Sequence, residues 1–74
     1  MEDAKARKQL GEAIRRRRQE LGYSQDSFAD QIEMHRAYYS AIERGERNLT
    51  LRLMLRVASG LKITLGGLLN AAKL

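Results

Sequence analysis

The sequence predicts an all-α fold, a bundle of five helices. Three observations carry that expectation. Apolar residues recur at helical spacing in five separate stretches. The chain has no Pro, and its six Gly fall mostly at candidate junctions between those stretches. Ser24, Thr50 and Thr64 each stand directly before one of them, where a side-chain oxygen can accept from a helix's first free N–H groups.

The first helical pattern runs from about Ala4 to Leu21, with residues 1–4 expected to fray. Leu10, Ile14 and Leu21 fall on one face, and Arg15 and Arg16 point away from it. Arg18 lies four after Ile14 and three before Leu21, on the apolar side. A guanidinium there needs a carboxylate partner, or its stem must bend outward to water. Gly22 ends this helix in the left-handed position common at helix ends. Ser24 caps the second helix, Asp26 complements its dipole, and Phe28, Ala29 and Ile32 form its apolar stripe. Barely two turns long, this helix needs the rest of the bundle. Glu33 and Met34 make a turn, with Met34 plugging the core.

The third helix runs from His35 or Arg36 to Arg44. Tyr39 and Ile42 face inward. Glu43 flanks them and is the only acidic residue of that helix, so it is the expected partner of Arg18. The outward face carries Arg36, Ala37, Ser40, Ala41 and Arg44. Gly45 stops the helix, and residues 46–49 form a loop. Thr50 caps the fourth helix, with Leu51, Met54, Leu55, Ala58 and Leu61 as its expected core stripe and Arg52 and Arg56 opposite. Gly60 lies near its end. Thr64 caps the last helix, Leu65 to about Ala72, with Leu65, Leu68, Leu69 and Ala72 on one side. Gly66 and Gly67 inside it each cost about 1 kcal/mol against Ala, so packing must hold it.

Composition narrows the function. Seventy-four residues make one domain, 1–74. A chain this short buries only about 60% of its unfolded surface. With no Cys and one His, disulfides and zinc–thiolate sites are excluded and no metal or other cofactor is expected. Dimerisation is the remaining common support for so thin a core. The apolar residues Leu53, Val57, Leu65, Leu68 and Leu69 exceed what one chain needs. They place the expected dimer face in the fourth and fifth helices, about residues 50–74.

The apolar runs are too short to span a membrane, and the charged N-terminus lacks the apolar core of a secretory signal. The expected location is the cytoplasm. Fourteen Lys and Arg against nine Asp and Glu give +5, which suits a polyanion, although small proteins also carry such a bias for solubility. Neither a nucleophile–base set nor a phosphate-cradling glycine loop is present, so catalysis is not expected. Adjacent aromatics at Tyr38 and Tyr39 sit on a helix rather than a stacking sheet, which disfavours single-stranded RNA.

The stretch of residues 24–45 reads as two short helices joined by a tight turn, the layout of a helix-turn-helix. Small residues on the outward face of its second helix let the axis sit deep in a major groove about 12 Å wide. Around this stretch stand Ile14-Arg15 with Arg18, Leu21-Gly22, Ser24-Gln25, Phe28-Ala29, Ser40, Ile42-Glu43-Arg44-Gly45 and Arg47-Asn48. In these residues the chain resembles the phage Cro/repressor-type, or XRE, helix-turn-helix family, whose members share the lambda-repressor-like fold. The string from Ile42 to Leu51, IERGERNLTL, looks closest to controller proteins of restriction–modification systems.

The resemblance implies a transcriptional regulator of double-stranded DNA that acts as a homodimer on a palindromic operator, with autoregulation possible for such a protein. It also implies a Gln25–phosphate contact, an Arg18–Glu43 pair, and base reading by His35, Arg36, Ala37 and Tyr38 with Ser40 and Ala41 one turn on. Arg36 either bonds guanine O6 and N7 or takes a phosphate. Tyr38 packs on a thymine methyl, bonds a phosphate, or is simply half-buried beside Tyr39. His35 reads a base or only opens the helix. Arg44, Arg47 and Asn48 are assigned to phosphate, which sets register but not sequence. Two departures stand out: Glu33 occupies the usual glycine of the turn, and Tyr39 replaces a branched aliphatic, so either the core is larger there or the ring is partly exposed. An antitoxin or protein-interaction module on the same fold is the competing expectation. No small-molecule effector is expected.

Overall fold

Each helix of this chain is closed by one left-handed residue, and among the described residues the second to fifth helices are each opened by a side-chain cap. The computed structural model describes residues 3–74. They form α1 (Asp3–Glu20), α2 (Gln25–Gln31), α3 (Arg36–Glu43), α4 (Leu51–Gly60) and α5 (Leu65–Ala71). Helix α1 starts at Asp3, so Asp3 and Ala4 are helical rather than frayed. Residues 1 and 2 of the segment expected to fray lie outside the described residues.

The Ser24 hydroxyl accepts from the Ser27 N–H at 3.0 Å, and the Ser27 hydroxyl accepts from the Ser24 N–H at 3.0 Å. Thr50 accepts from the Leu53 N–H at 3.2 Å and Thr64 from the Gly67 N–H at 2.9 Å. His35 opens α3, its Nδ1 accepting from the Ala37 N–H at 3.2 Å. At the far ends, Gly22, Glu33, Gly45, Lys62 and Lys73 take φ of 83°, 56°, 75°, 57° and 63°. The N–H of the residue after each reaches back to close the helix, as from Met34 to the Ala29 carbonyl at 2.8 Å. Glu33 therefore makes the turn in the glycine-like conformation, at a strain of about 1 kcal/mol for a residue with a Cβ.

The core gathers Leu10, Ala13 and Ile14 of α1, Phe28, Ala29 and Ile32 of α2 and its cap, Met34, Tyr39 and Ile42 of α3, Val57, Ala58 and Leu61 of α4 and its cap, and Leu68 and Ala72 at the C-terminal end. Helix α1 donates to carbonyls at the C-terminal ends of α3, α4 and α5, where the helix dipole favours cations. Arg7 Nε bonds the Gly45 carbonyl after α3 at 3.1 Å. Arg17 Nε bonds the Leu61 carbonyl after α4 at 3.0 Å. Arg16 and Gln9 reach the Ala71 and Ala72 carbonyls at 3.3 and 3.2 Å.

Two expectations are corrected. The core stripe of α4 is Met54, Val57, Ala58 and Leu61, while Leu51 and Leu55 are 60% and 51% exposed. So many of the residues of α4 are apolar that periodicity alone admits either phase. Val57 and Leu68, expected at a dimer face, are 0% and 1% exposed and have no surface to offer a partner. Leu53, Leu65 and Leu69 are half-buried.

At Gly11, α1 lies directly against the backbone of α3. A Cβ there would lie 2.5 Å from the Glu43 carbonyl oxygen and 2.7 Å from that of Ile42. Helix propensity alone would make Gly11→Ala stabilising by about 1 kcal/mol. Because the obstacle is backbone, which cannot rotate aside, the substitution is expected to lower unfolding free energy by about 1–3 kcal/mol, measured by urea denaturation.

Candidate nucleic-acid interface

The Glu43 carboxylate sits at the junction of α1, α2 and α3. Its Oε2 accepts from Arg18 Nε at 2.6 Å and from the Tyr39 hydroxyl. Its Oε1 accepts from Arg18 Nη2 at 3.1 Å and Gln25 Nε2 at 2.8 Å. Arg18 Nη1 also bonds the Tyr23 carbonyl at 2.7 Å, just before α2. Arg18 and Glu43 are each 7% exposed, so the guanidinium is buried and paired rather than turned out to water. Tyr39 is 0% exposed: the core is larger here and takes the whole ring, with the hydroxyl aimed at Glu43. Burial pushes the Glu43 carboxyl up, but bonds from Arg18, Tyr39 and Gln25, with the Arg18 charge, leave it below its ordinary pKa. Burial, then the bond to Glu43 and its negative charge, raise the Tyr39 hydroxyl pKa well above normal, so it remains a donor.

This network fixes α3 against its brace. Outward from it, His35, Arg36, Ala37 and Arg44 are exposed, and Tyr38 and Ser40 are half-buried. Arg47 and Asn48 are exposed in the following loop. The Arg47 guanidinium lies 5.1 Å from the Tyr38 ring centroid, a cation–π contact. Arg44 bonds the Ser40 hydroxyl at 2.6 Å and both Glu46 carboxylate oxygens at 3.1 Å. The Asn48 side-chain oxygen accepts from Arg7 Nη1 at 3.1 Å.

Three placements differ from the sequence pattern. Ala41 is buried, 7% exposed. The chain folds back there after Gly45, with the Glu46 N–H bonded to the Ala41 carbonyl at 3.0 Å. Gln25 is half-buried with its amide on Glu43, so it joins the ion-pair network. Arg36 is paired with Asp30 at 3.1 Å and Asp26 at 3.4 Å. The four-residue spacing of those aspartates, one turn of α2, was the available sequence signal. Arg7, which ties the loop after α3 to α1, had none, because its partners lie 38 and 41 residues away.

A brace helix, a tight turn and an exposed-faced second helix define a helix-turn-helix, and the helix-turn-helix family pattern matches residues 14–68. The chain belongs to that family, of XRE type, and is a DNA-binding transcriptional regulator rather than an enzyme. Control protein C.MunI of Mycoplasma sp is 41% identical over 71 residues, covering 95% of this chain and 93% of that protein. Among solved structures, the clp gene regulator ClgR from C. glutamicum superposes with a TM-score of 0.88 at 26% identity, over 92% of this chain and 87% of that one. The restriction-modification controller protein C.AhdI from Aeromonas hydrophila superposes with a TM-score of 0.78 at 33% identity, over 82% and 92%. Among the described residues, no helix is long and apolar enough to cross a membrane.

Removing one partner of a buried pair strands the other charge. Arg18→Met or Glu43→Leu is each expected to cost about 3–5 kcal/mol, and the double variant to be more stable than either single one by chemical denaturation. Because folding lowers the Glu43 pKa, its contribution is present above the unfolded carboxylate value of about 4.3 and is lost as pH falls further, through the folded pKa. Glu43→Gln should flatten that acid limb of stability.

Proposed function

We propose that this chain is a controller-type regulator that binds a palindromic operator as a homodimer, with the whole of residues 1–74 as its DNA-binding domain. The observation that carries the reading is the exposed outer face of α3, with Arg36 at its first turn and small residues behind, held on a buried ion pair. Identity of 41% with a control protein along 95% of the chain supports the controller assignment over other regulators of this family. Helix α3 would lie in the major groove. Arg36 would read a guanine, with His35, Ala37, Tyr38 and Ser40 lining the same surface. Arg44, Arg47 and Asn48 would hold phosphates, and the free amide hydrogen of Gln25 would meet one at the start of α2. Control would come from protein concentration and operator affinity, the operator lying upstream of the protein's own gene.

Leu51 and Leu55, one turn apart on α4, are the most exposed large apolar residues among those described and are the proposed centre of the dimer face, to which Leu53, Leu65 and Leu69, half-buried against the core, offer less surface. Two copies would read half-sites about one helical turn apart.

Binding to the duplex upstream of its own gene, by fluorescence anisotropy at about 0.15 M salt, is expected to exceed binding to a scrambled duplex by about 10³ or more. Arg36→Ala should remove about 1–3 kcal/mol of that preference, whereas Arg47→Ala should weaken both duplexes alike and reduce the salt slope by about one. Equal, weak binding of both duplexes by the native chain would sink the autoregulatory reading. In sedimentation, Leu55→Lys is expected to give a folded monomer where the native chain dimerises at micromolar concentration. A native chain that stays monomeric with and without DNA refutes the dimer.

A further inference from the structure

The residue assigned to base reading does not stand free. Asp26 and Asp30 are one turn apart on α2, and their carboxylates converge on the Arg36 guanidinium. Nη2 donates to Asp30 Oδ2 at 3.1 Å and Nη1 to Asp26 Oδ2 at 3.4 Å. The three side chains are 59–65% exposed. Ion pairs this exposed add little to folding, so stability does not explain them. Nor does attraction to DNA: a chain of net charge +5 has placed two negative charges on its helix-turn-helix, beside its proposed reader.

A free guanidinium takes any phosphate it meets, and phosphates outnumber the correct base on every duplex. Two carboxylates beside it repel phosphate oxygens but not the neutral edge of a base. They occupy only two of the five N–H donors of the planar fork, and they fix the direction in which the others point. An arginine already held by neighbours loses less freedom on meeting its target.

We propose that Asp26 and Asp30 determine specificity as positioning residues, keeping Arg36 from phosphate and presenting its free edge to guanine. The inference rests on α3 reading DNA through Arg36 and assigns the two aspartates a part in that reading.

The test uses a duplex selected from a randomised library by the native chain, and a scrambled duplex of the same composition. Affinity for both is measured across a salt series for the native chain, Asp26→Asn with Asp30→Asn, Asp30→Asn alone, and a charge-matched control, Glu12→Gln with Glu20→Gln on α1. The double Asn variant is expected to bind the scrambled duplex about tenfold more tightly, with a salt slope steeper by about one. Its affinity for the selected duplex should change much less, so the ratio between duplexes falls about tenfold. Asp30→Asn alone should give part of that fall, and the control should tighten both duplexes equally. An unchanged ratio in the double Asn variant, with the native chain still discriminating, overturns this inference and leaves the regulator reading intact. Arg36→Ala, measured alongside, overturns this inference if it keeps the preference, and a native chain that shows no preference overturns the regulator reading as well.

Discussion

The Glu43 carboxylate receives hydrogen bonds from Arg18 on α1, Gln25 on α2 and Tyr39 on α3. Apolar contacts tolerate sliding by a fraction of a turn. A bidentate guanidinium–carboxylate pair with both oxygens filled does not, because its bonds are short and directional. The pair therefore sets the pitch of α3 against α2, and with it the plane in which Arg36, Ala37 and Ser40 face outward. Gly11, on the same helix as Arg18, complements it: without a Cβ, α1 lies close against the Ile42 and Glu43 carbonyls of α3, within reach of the carboxylate for Arg18. The angle of the outer face is thus decided in the interior.

The short helices were legible because their boundaries carry chemistry. Ser24, Thr50, Thr64, Gly22 and Gly45 mark starts and stops by side-chain type alone, and a charged Arg18 on an apolar stripe called for the lone acid of α3. What escaped was the phase of α4, where apolar residues cover too much of the helix for spacing to choose a face. His35 was legible as an opener of α3 and Glu33 as the turn residue in a glycine's place, but Lys62 and Lys73, which take left-handed conformations that glycine normally fills, escaped. Their Schellman bonds and tertiary packing outweigh a local preference of about 1 kcal/mol.

The basic residues divide by task in a way that net charge conceals. Arg7, Arg16, Arg17 and Arg18 of α1 bond carbonyls or Glu43 within the fold. Arg36, Arg44 and Arg47 stand on or after α3, and each is already engaged, by carboxylates or by an aromatic ring. A chain of pI near 10.1 thus displays less free positive potential on its proposed reading face than composition suggests. Electrostatic attraction to any duplex would be moderated at that proposed face.

The reach of α1 bears on when this protein becomes whole during synthesis. Gln9 bonds the Ala72 carbonyl across 63 residues, and Arg17 bonds that of Leu61 across 44. Helix α1 thus waits for the residues after α4 and α5 to be translated before these partners exist. A nascent chain halted before α5 lacks Leu68 and Ala72 in the core and leaves one side of α1 uncovered. Premature termination should consequently yield proteolysis-prone fragments rather than a partly active repressor or activator, and cellular dosage would follow the number of completed chains.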